Sequence, residues 1–310
     1  MRNAFIHELA DLAAEDPRIV LLTGDLGYTA IEPFSERFPD RFYNVGVAEQ
    51  NMLGIATGLA EAGFIPFVYS IATFATLRPY EFIRNGPILH QLPVRIVGVG
   101  GGLEYGLNGL THYAVEDIGI LRVQPGIRII APADPPQARA ALSATWELPG
   151  PIYYRLGKTQ AATVPRLDGA FAPDSIAVLR EGSDLAILAV GNVALEAHAA
   201  VEALVGSGLS VAFAVVANLH PAPLDSLLDF LETVPAALTV ESHYMNGGLG
   251  SLVCETVAEW GLDCRVRRCG VRKLEPGVIG SRDFLHYRHG LSSMGLIASG
   301  RELAASVGFE

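Results

Sequence analysis

The residues most able to do chemistry lie in the run Asn44-Val45-Gly46-Val47-Ala48-Glu49-Gln50-Asn51-Met52. Small and apolar residues lead up to one carboxylate, Glu49, at the start of an apolar helical pattern. A carboxylate entering a dry environment gains proton affinity and seeks a nitrogen or a shared proton, so Glu49 is a candidate for proton chemistry. The residue types alone also allow a plainer role, a first-turn Glu that complements the helix dipole.

The elements that must position Glu49 follow from the apolar pattern. Short runs at 19–22, 66–69, 94–98, 127–130 and 152–155 read as buried strands. Between them, 50–62 and 75–89 carry helical periodicity, and Gly63 supplies a C-terminal cap for the first. Such alternation predicts a parallel sheet covered on both faces. The glycines Gly100, Gly101 and Gly102 follow a strand, so they belong at its carboxyl end, where ligands of open α/β sheets gather. Residues 163–173 have loop composition, and a second alternating unit follows, with strands at 185–190, 211–216 and 237–241 and a helix over 194–205. The expected architecture is α/β, with two domains each built on a mostly parallel sheet flanked by helices. The boundaries read as 1–165, a linker over 166–182, and 183–310.

Composition narrows the function classes. The chain has 310 residues, 50% hydrophobic and 18% charged, which suits two domains with much buried sheet and argues against disorder. A net charge of -11 argues against a nucleic-acid surface. The densest basic cluster, from Arg265 to Lys273, is short and interrupted, and reads as a strand or loop face. Cys254, Cys264 and Cys269 match no zinc spacing and read as reduced thiols of a cytoplasmic protein. The N-terminal apolar face of Phe5, Leu9, Leu12 and Ala13 is broken by His7, Glu8 and Asp11, which suits an amphipathic helix and not a signal peptide. No apolar run approaches the roughly 20 residues that span a bilayer, so no membrane partner is expected.

Five blocks of sequence resemble the pyrimidine-binding domain of the transketolase family of thiamine diphosphate enzymes. They are Gly24 to Gly27, Phe38 to Phe42, Asn44 to Gln50, Ala72 to Phe74 with Arg78 to Glu81, and Gly109 to His112 with Glu116 and Asp117. Their order and spacing agree over roughly residues 15 to 160 of the sequence. The second unit, with Glu241, Ser242 and His243 followed by Gly247 to Ser251, resembles the C-terminal domain of the same family. The glycines of that last segment lack the Lys and spacing of a phosphate loop and read as a strand-to-helix turn, with His243 structural or at an interface.

The resemblance implies roles residue by residue. Glu49 would hydrogen-bond the pyrimidine nitrogen of thiamine diphosphate, favouring the tautomer whose nitrogen removes the thiazolium C2 proton. That role calls for a carboxyl group lifted by apolar surroundings, which Met52 and Ile55 are expected to supply. Phe74 would stack on the aminopyrimidine, with Leu77 and Tyr80 lining the ring. Asp25 would approach the cofactor, although an Asx turn explains it equally. His112 would contact the substrate near the cofactor's C2, as an oxygen ligand or proton carrier. Arg155 would bind a substrate phosphate, to which a guanidinium is suited, or else pair with a partner subunit. Two positions depart from full-length transketolases: Gly100 stands in place of a second His, and Asn108 in place of an Asp that reads substrate hydroxyls. Tyr113 adds a ring beside His112.

In this family Mg²⁺ holds the cofactor's diphosphate through a Gly-Asp-Gly motif, which this sequence lacks. No metal ligands are therefore expected here. The implied enzyme has two components: a separate N-terminal subunit holds the diphosphate and Mg²⁺, and the chains form a self-associating α2β2 assembly. Its reaction would move a two-carbon ketol unit from a ketose or ketose phosphate to an aldehyde. The alternatives are the β-subunit of a 2-oxo acid dehydrogenase or other acyl-transferring enzyme, a deoxyxylulose-phosphate-synthase-like activity, and a non-catalytic assembly subunit.

Overall fold

The computed structural model describes residues 1–158 and 162–309; the expected domain ranges 1–165 and 183–310 each include residues outside this set. Among the described residues twelve strands form two sheets. The first contains β1 (Ile19–Thr23), β2 (Phe42–Asn44), β3 (Ile65–Ile71), β4 (Arg95–Val99), β5 (Arg128–Ile130) and β6 (Ile152–Leu156). The second contains β7 (Ala177–Arg180), β8 (Leu185–Val190), β9 (Val211–Val215), β11 (Ala236–Tyr244) and β12 (Arg265–Val271), whereas β10 (Asn218–His220) crosses back to the first sheet. The strand orders are β10-β5-β6-β4-β3-β1-β2 and β12-β11-β8-β9-β7. Every neighbouring pair is parallel except β10 with β5 and β7 with β9, both at sheet edges.

Parallel strands covered by helices on both faces must be apolar throughout, and β1, β4, β6, β8 and β9 are buried at every position. The helix Glu49–Glu61 buries Met52, Leu53, Ala56 and Ala60 against the sheet. It stops where Gly63, at φ +93°, takes a left-handed conformation that a residue with Cβ resists. Among the described residues no helix is long and apolar enough to cross a membrane.

Three sequence expectations change. The helix expected over 75–89 is broken into Ala72–Thr76, Tyr80–Ile83 and a π-helical turn, Arg84–Ile88. Pro79 separates the first two because it has no N–H to donate to the helical ladder. The stretch expected as a linker, 166–182, contains β7, which pairs with the edge of the second sheet. Finally, β10 lends a strand from the second unit to the first sheet, with the Ala131 amide also bonded to Ala217 O. Strands of three or four residues carry too little periodicity to be recognised in sequence.

Candidate active site

The carboxyl ends of β1, β3 and β4 converge on one edge of the first sheet, and the loops and helices leaving them carry the candidate residues. Glu49 opens the helix after β2, and its side chain is 1% exposed. One carboxylate oxygen, Oε1, accepts a 3.0 Å hydrogen bond from Ser70 Oγ at the end of β3. The other, Oε2, accepts a 2.8 Å bond from Arg78 Nη1, whose side chain is 44% exposed. The expectation of apolar surroundings therefore needs correction. Met52 is buried on the same helix, but Ile55 lies on the surface, and two polar groups, Ser70 and Arg78, bond the carboxylate. In front of the pair lies a cleft of about 900 Å³ lined by Val47, Ala48, Gln50, Asn51 and Phe82 as well as Glu49 and Arg78.

Phe74, half-buried on the short helix after β3, is joined to this carboxylate through Arg78. The Arg78 guanidinium carbon sits 3.9 Å from its ring centroid, a cation–π contact. His112 meets the same ring edge-on, with centroids 5.2 Å apart, and its Nδ1 lies 3.0 Å from Thr111 Oγ1. Tyr105 adds a third ring, 5.9 Å from His112, with Lys158 Nζ 4.3 Å from its own centroid. Gly100 explains how Tyr105 comes so close. At φ +77° a Cβ on this residue would lie 2.1 Å from the tyrosine ring, so Tyr105 fills the space of the absent side chain.

Glu49, Phe74 and His112 are thus brought together; the other candidates are placed differently. Leu77 is 40% exposed, after the last turn of the Phe74 helix. Beyond Pro79, Tyr80 turns inward: its hydroxyl donates to Ile120 O at 2.8 Å and accepts from Gln124 Nε2 at 2.6 Å. That bonding anchors the Tyr80 hydroxyl against a neighbouring helix. Asp25 is exposed at φ +58° and accepts bonds from Asn44 Nδ2 at 2.9 Å and Tyr28 OH at 3.0 Å. Those two bonds, Asn44 first, hold its carboxyl below the usual range. Asn108 is exposed in the 3-10 turn before the one that carries His112.

Arg155 departs most from expectation. Its side chain is 3% exposed, and Nε donates to Asp117 Oδ2 at 2.7 Å. Its Nη2 donates to the carbonyls of Ala114 and Ser242 at 2.8 and 3.0 Å. A guanidinium so committed within its own chain is not presented to a substrate phosphate, and its ion pair is internal, not with a partner subunit. Burial opposes the Arg155 charge, but Asp117, Tyr153 and Glu241 together outweigh it and raise the guanidinium's proton affinity.

This buried group is the seam between the two sheets. Asp117 also accepts from Tyr153 OH at 2.6 Å, and its Oδ1, without a hydrogen-bond partner among the described residues, lies 4.0 Å from His243 Nε2. That nitrogen accepts the Gly119 amide at 3.2 Å, and Tyr244 N donates to Val115 O at 2.6 Å. Burial pushes the His243 imidazole down to about 4. Glu241, 3.7 Å away, accepts the amides of Leu249 and Gly250 at a helix start, yet burial pushes its carboxyl up to about 7. His243 is tied into this seam, which fixes the loop that carries His112 at its Ala114 to Gly119 end.

Sequence reasoning gave no individual role to Arg78, Ser70, Tyr105 or Asp117. Arg78 had a readable signal, because it follows Phe74 by four residues, the spacing of helical neighbours. Tyr105 had none, since its place depends on the empty space at Gly100.

With this geometry in view, comparison with known proteins is decisive. The model of the transketolase pyrimidine-binding domain matches residues 1–163, and that of the transketolase C-terminal domain matches residues 174–294. The chain belongs to the transketolase family. It is similar to a 6-deoxy-6-sulfo-D-fructose transketolase subunit from Clostridium sp. (strain MSTE9), 34% identical over 100% of this chain and 96% of the relative. An apulose-4-phosphate transketolase subunit from Actinobacillus succinogenes is 30% identical over 96% of both chains. A solved structure described as a split gene transketolase, inactive beta4 tetramer, superposes with a TM-score of 0.87 at 34% identity, covering 98% of this chain and 97% of that one. Family membership makes the chain part of a thiamine diphosphate-dependent transferase and does not favour the 2-oxo acid dehydrogenase reading. The residues present fit the cofactor's pyrimidine: a buried carboxylate borders an open cleft, with an aromatic face beside it. Among the described residues, no cluster of three or more His, Cys, Asp or Glu could hold a metal ion.

Proposed function

We propose that the chain is the C-terminal, pyrimidine-side subunit of a two-component cytoplasmic transketolase. It acts with a separate N-terminal subunit that holds Mg²⁺ and the cofactor's diphosphate, in an α2β2 assembly. The reaction moves a two-carbon ketol unit from a ketose or ketose phosphate to an aldehyde. Two relatives of matching length, both transketolase subunits by name, support the division of labour. The similar split gene transketolase, an inactive tetramer of beta chains, supports self-association and the need for a partner. The domain limits proposed remain 1–165 and 183–310, and the stretch between them, 166–182, contributes β7 to the edge of the second sheet.

The observation that carries this reading is the Glu49 carboxylate, 1% exposed yet bordering an open cleft and sharing Arg78 with the Phe74 ring. When bound, thiamine diphosphate supplies a nucleophilic carbon and an electron sink for cleaving a bond next to a carbonyl. Glu49 holds a proton against the pyrimidine nitrogen, and Phe74 offers the ring a stacking face. His112, fixed against Phe74 and Thr111, binds donor oxygens or passes protons at the mouth. Asn108 and Asp25 stand at the periphery, on exposed loops suited to substrate hydroxyls and to cofactor approach. Leu77 contributes apolar surface at the rim.

Mixing this chain with its N-terminal partner, thiamine diphosphate and Mg²⁺ tests the proposal. Ketol transfer is expected from the mixture, not from either chain alone, and it should vanish in Glu49→Gln. Wild-type turnover by that variant, or by this chain alone, would overturn the assignment.

A further inference from the structure

Arg78 occupies an unusual position for a half-exposed arginine. Its guanidinium lies 3.9 Å from the Phe74 ring centroid while Nη1 donates to Glu49 Oε2 at 2.8 Å. A guanidinium is a flat, delocalised cation with its N–H donors in the plane. Here it meets an aromatic face and a buried carboxylate, the two groups that the proposed function gives to the aminopyrimidine. The side chain and the ring compete for that place.

We propose that Arg78 is a placeholder: without cofactor its guanidinium fills the pyrimidine's place and neutralises Glu49, and cofactor binding displaces it. This inference rests on the reading of Glu49 given above. Glu49 needs such a partner, because its side chain is 1% exposed and Ser70 is its one other side-chain hydrogen-bond donor among the described residues. A buried carboxylate left without a counter-charge is costly. The pyrimidine nitrogen becomes Glu49's new partner, so the carboxylate passes from one partner to the other. Arg78 is free to leave because its side chain is 44% exposed and borders the 900 Å³ cleft lined by Gln50, Asn51 and Phe82. The price is affinity, since the binding-competent state is only a fraction of the cofactor-free population.

The test is calorimetric titration of thiamine diphosphate, with Mg²⁺ present, into the assembled two-subunit enzyme. Arg78→Met is expected to bind roughly five- to tenfold more tightly than wild type, because no cation–π contact or ion pair has to break. Its melting temperature without cofactor should fall, with Glu49 left unpaired. Arg78→Lys keeps the charge but loses the flat stacking, and should tighten binding by a smaller factor. It serves as the test if Arg78→Met does not fold. Weaker binding in the folded variant would make Arg78 a cofactor ligand and overturn the proposal, as would unchanged affinity. Absence of cofactor binding by the wild-type complex overturns the proposal and the functional reading together. Tightened binding beside wild-type turnover in Glu49→Gln would support displacement of Arg78 by the cofactor and overturn the proton role of Glu49 alone.

Discussion

The Glu49–Arg78 and Asp117–Arg155 pairs are closed by contacts of 2.8 and 2.7 Å, and both carboxylates are 1% exposed. The arginines differ: Arg78 is 44% exposed and Arg155 is 3% exposed. Arg155 is tied by two carbonyls from separate segments as well as by Asp117, so it cannot leave without opening the seam between the sheets. Arg78 has one carboxylate and one aromatic face, and both it and the carboxylate border a cleft. The same charge pair therefore serves as a lock where both members are buried and as an exchangeable contact where one is not. An arginine–carboxylate pair reveals a role only through the exposure and further bonds of its members.

The largest expected effect breaks the lock. Asp117→Asn leaves Arg155 buried beside a neutral amide and should cost about 3–5 kcal/mol of stability by urea unfolding. A loss as small as that of a surface pair, about 1 kcal/mol or less, would show that the seam is not the rigid member of the comparison.

A smaller effect is pH-dependent and concerns His243 and Glu241 of the seam. The His243 imidazole lies at about 4, against an ordinary 6.5 in the unfolded chain, so its contribution is present above pH 6.5 and lost as pH falls towards 4. The Glu241 carboxyl lies at about 7, against 4.5, so its contribution is full below pH 4.5 and lost as pH rises through 7. Between pH 4.5 and 6.5 the two slopes oppose each other, and this seam should leave stability nearly flat. His243→Gln removes the rising contribution. Stability should then fall by about 3 kcal/mol on going from pH 4.5 to 7, since each tenfold change in proton affinity is worth about 1.4 kcal/mol. Identical pH profiles for variant and wild type would exclude this compensation.

The parts legible in the sequence are those with long periodicity or dense motifs. The buried strands around 19–22, 66–69, 94–98, 152–155, 185–190 and 211–216 stand where their apolar runs lie, and Gly63 caps the helix expected to stop there. The grouping of Glu49, Phe74 and His112 was legible from motif order, and the structure places Phe74 between Arg78 and His112. What stayed hidden depends on the third dimension. Arg155 and Arg78 look alike as arginines near functional motifs, and only burial separates them. Tyr80 shares a block with Phe74, but Pro79 breaks the helix between them and turns the tyrosine inward. The edge strands β2, β7 and β10 are too short to show a period, and β10 joins a sheet that its sequence position does not suggest.

Hydrogen exchange at C2 of thiamine diphosphate bound to the assembled enzyme, followed by NMR in deuterated water, tests Glu49's role most directly. With the cofactor fully bound, Glu49→Gln should slow exchange by about 10²–10⁴-fold, the range expected when a positioned proton-transfer group is lost. Exchange at the wild-type rate in a fully loaded Glu49→Gln enzyme would contradict the assignment.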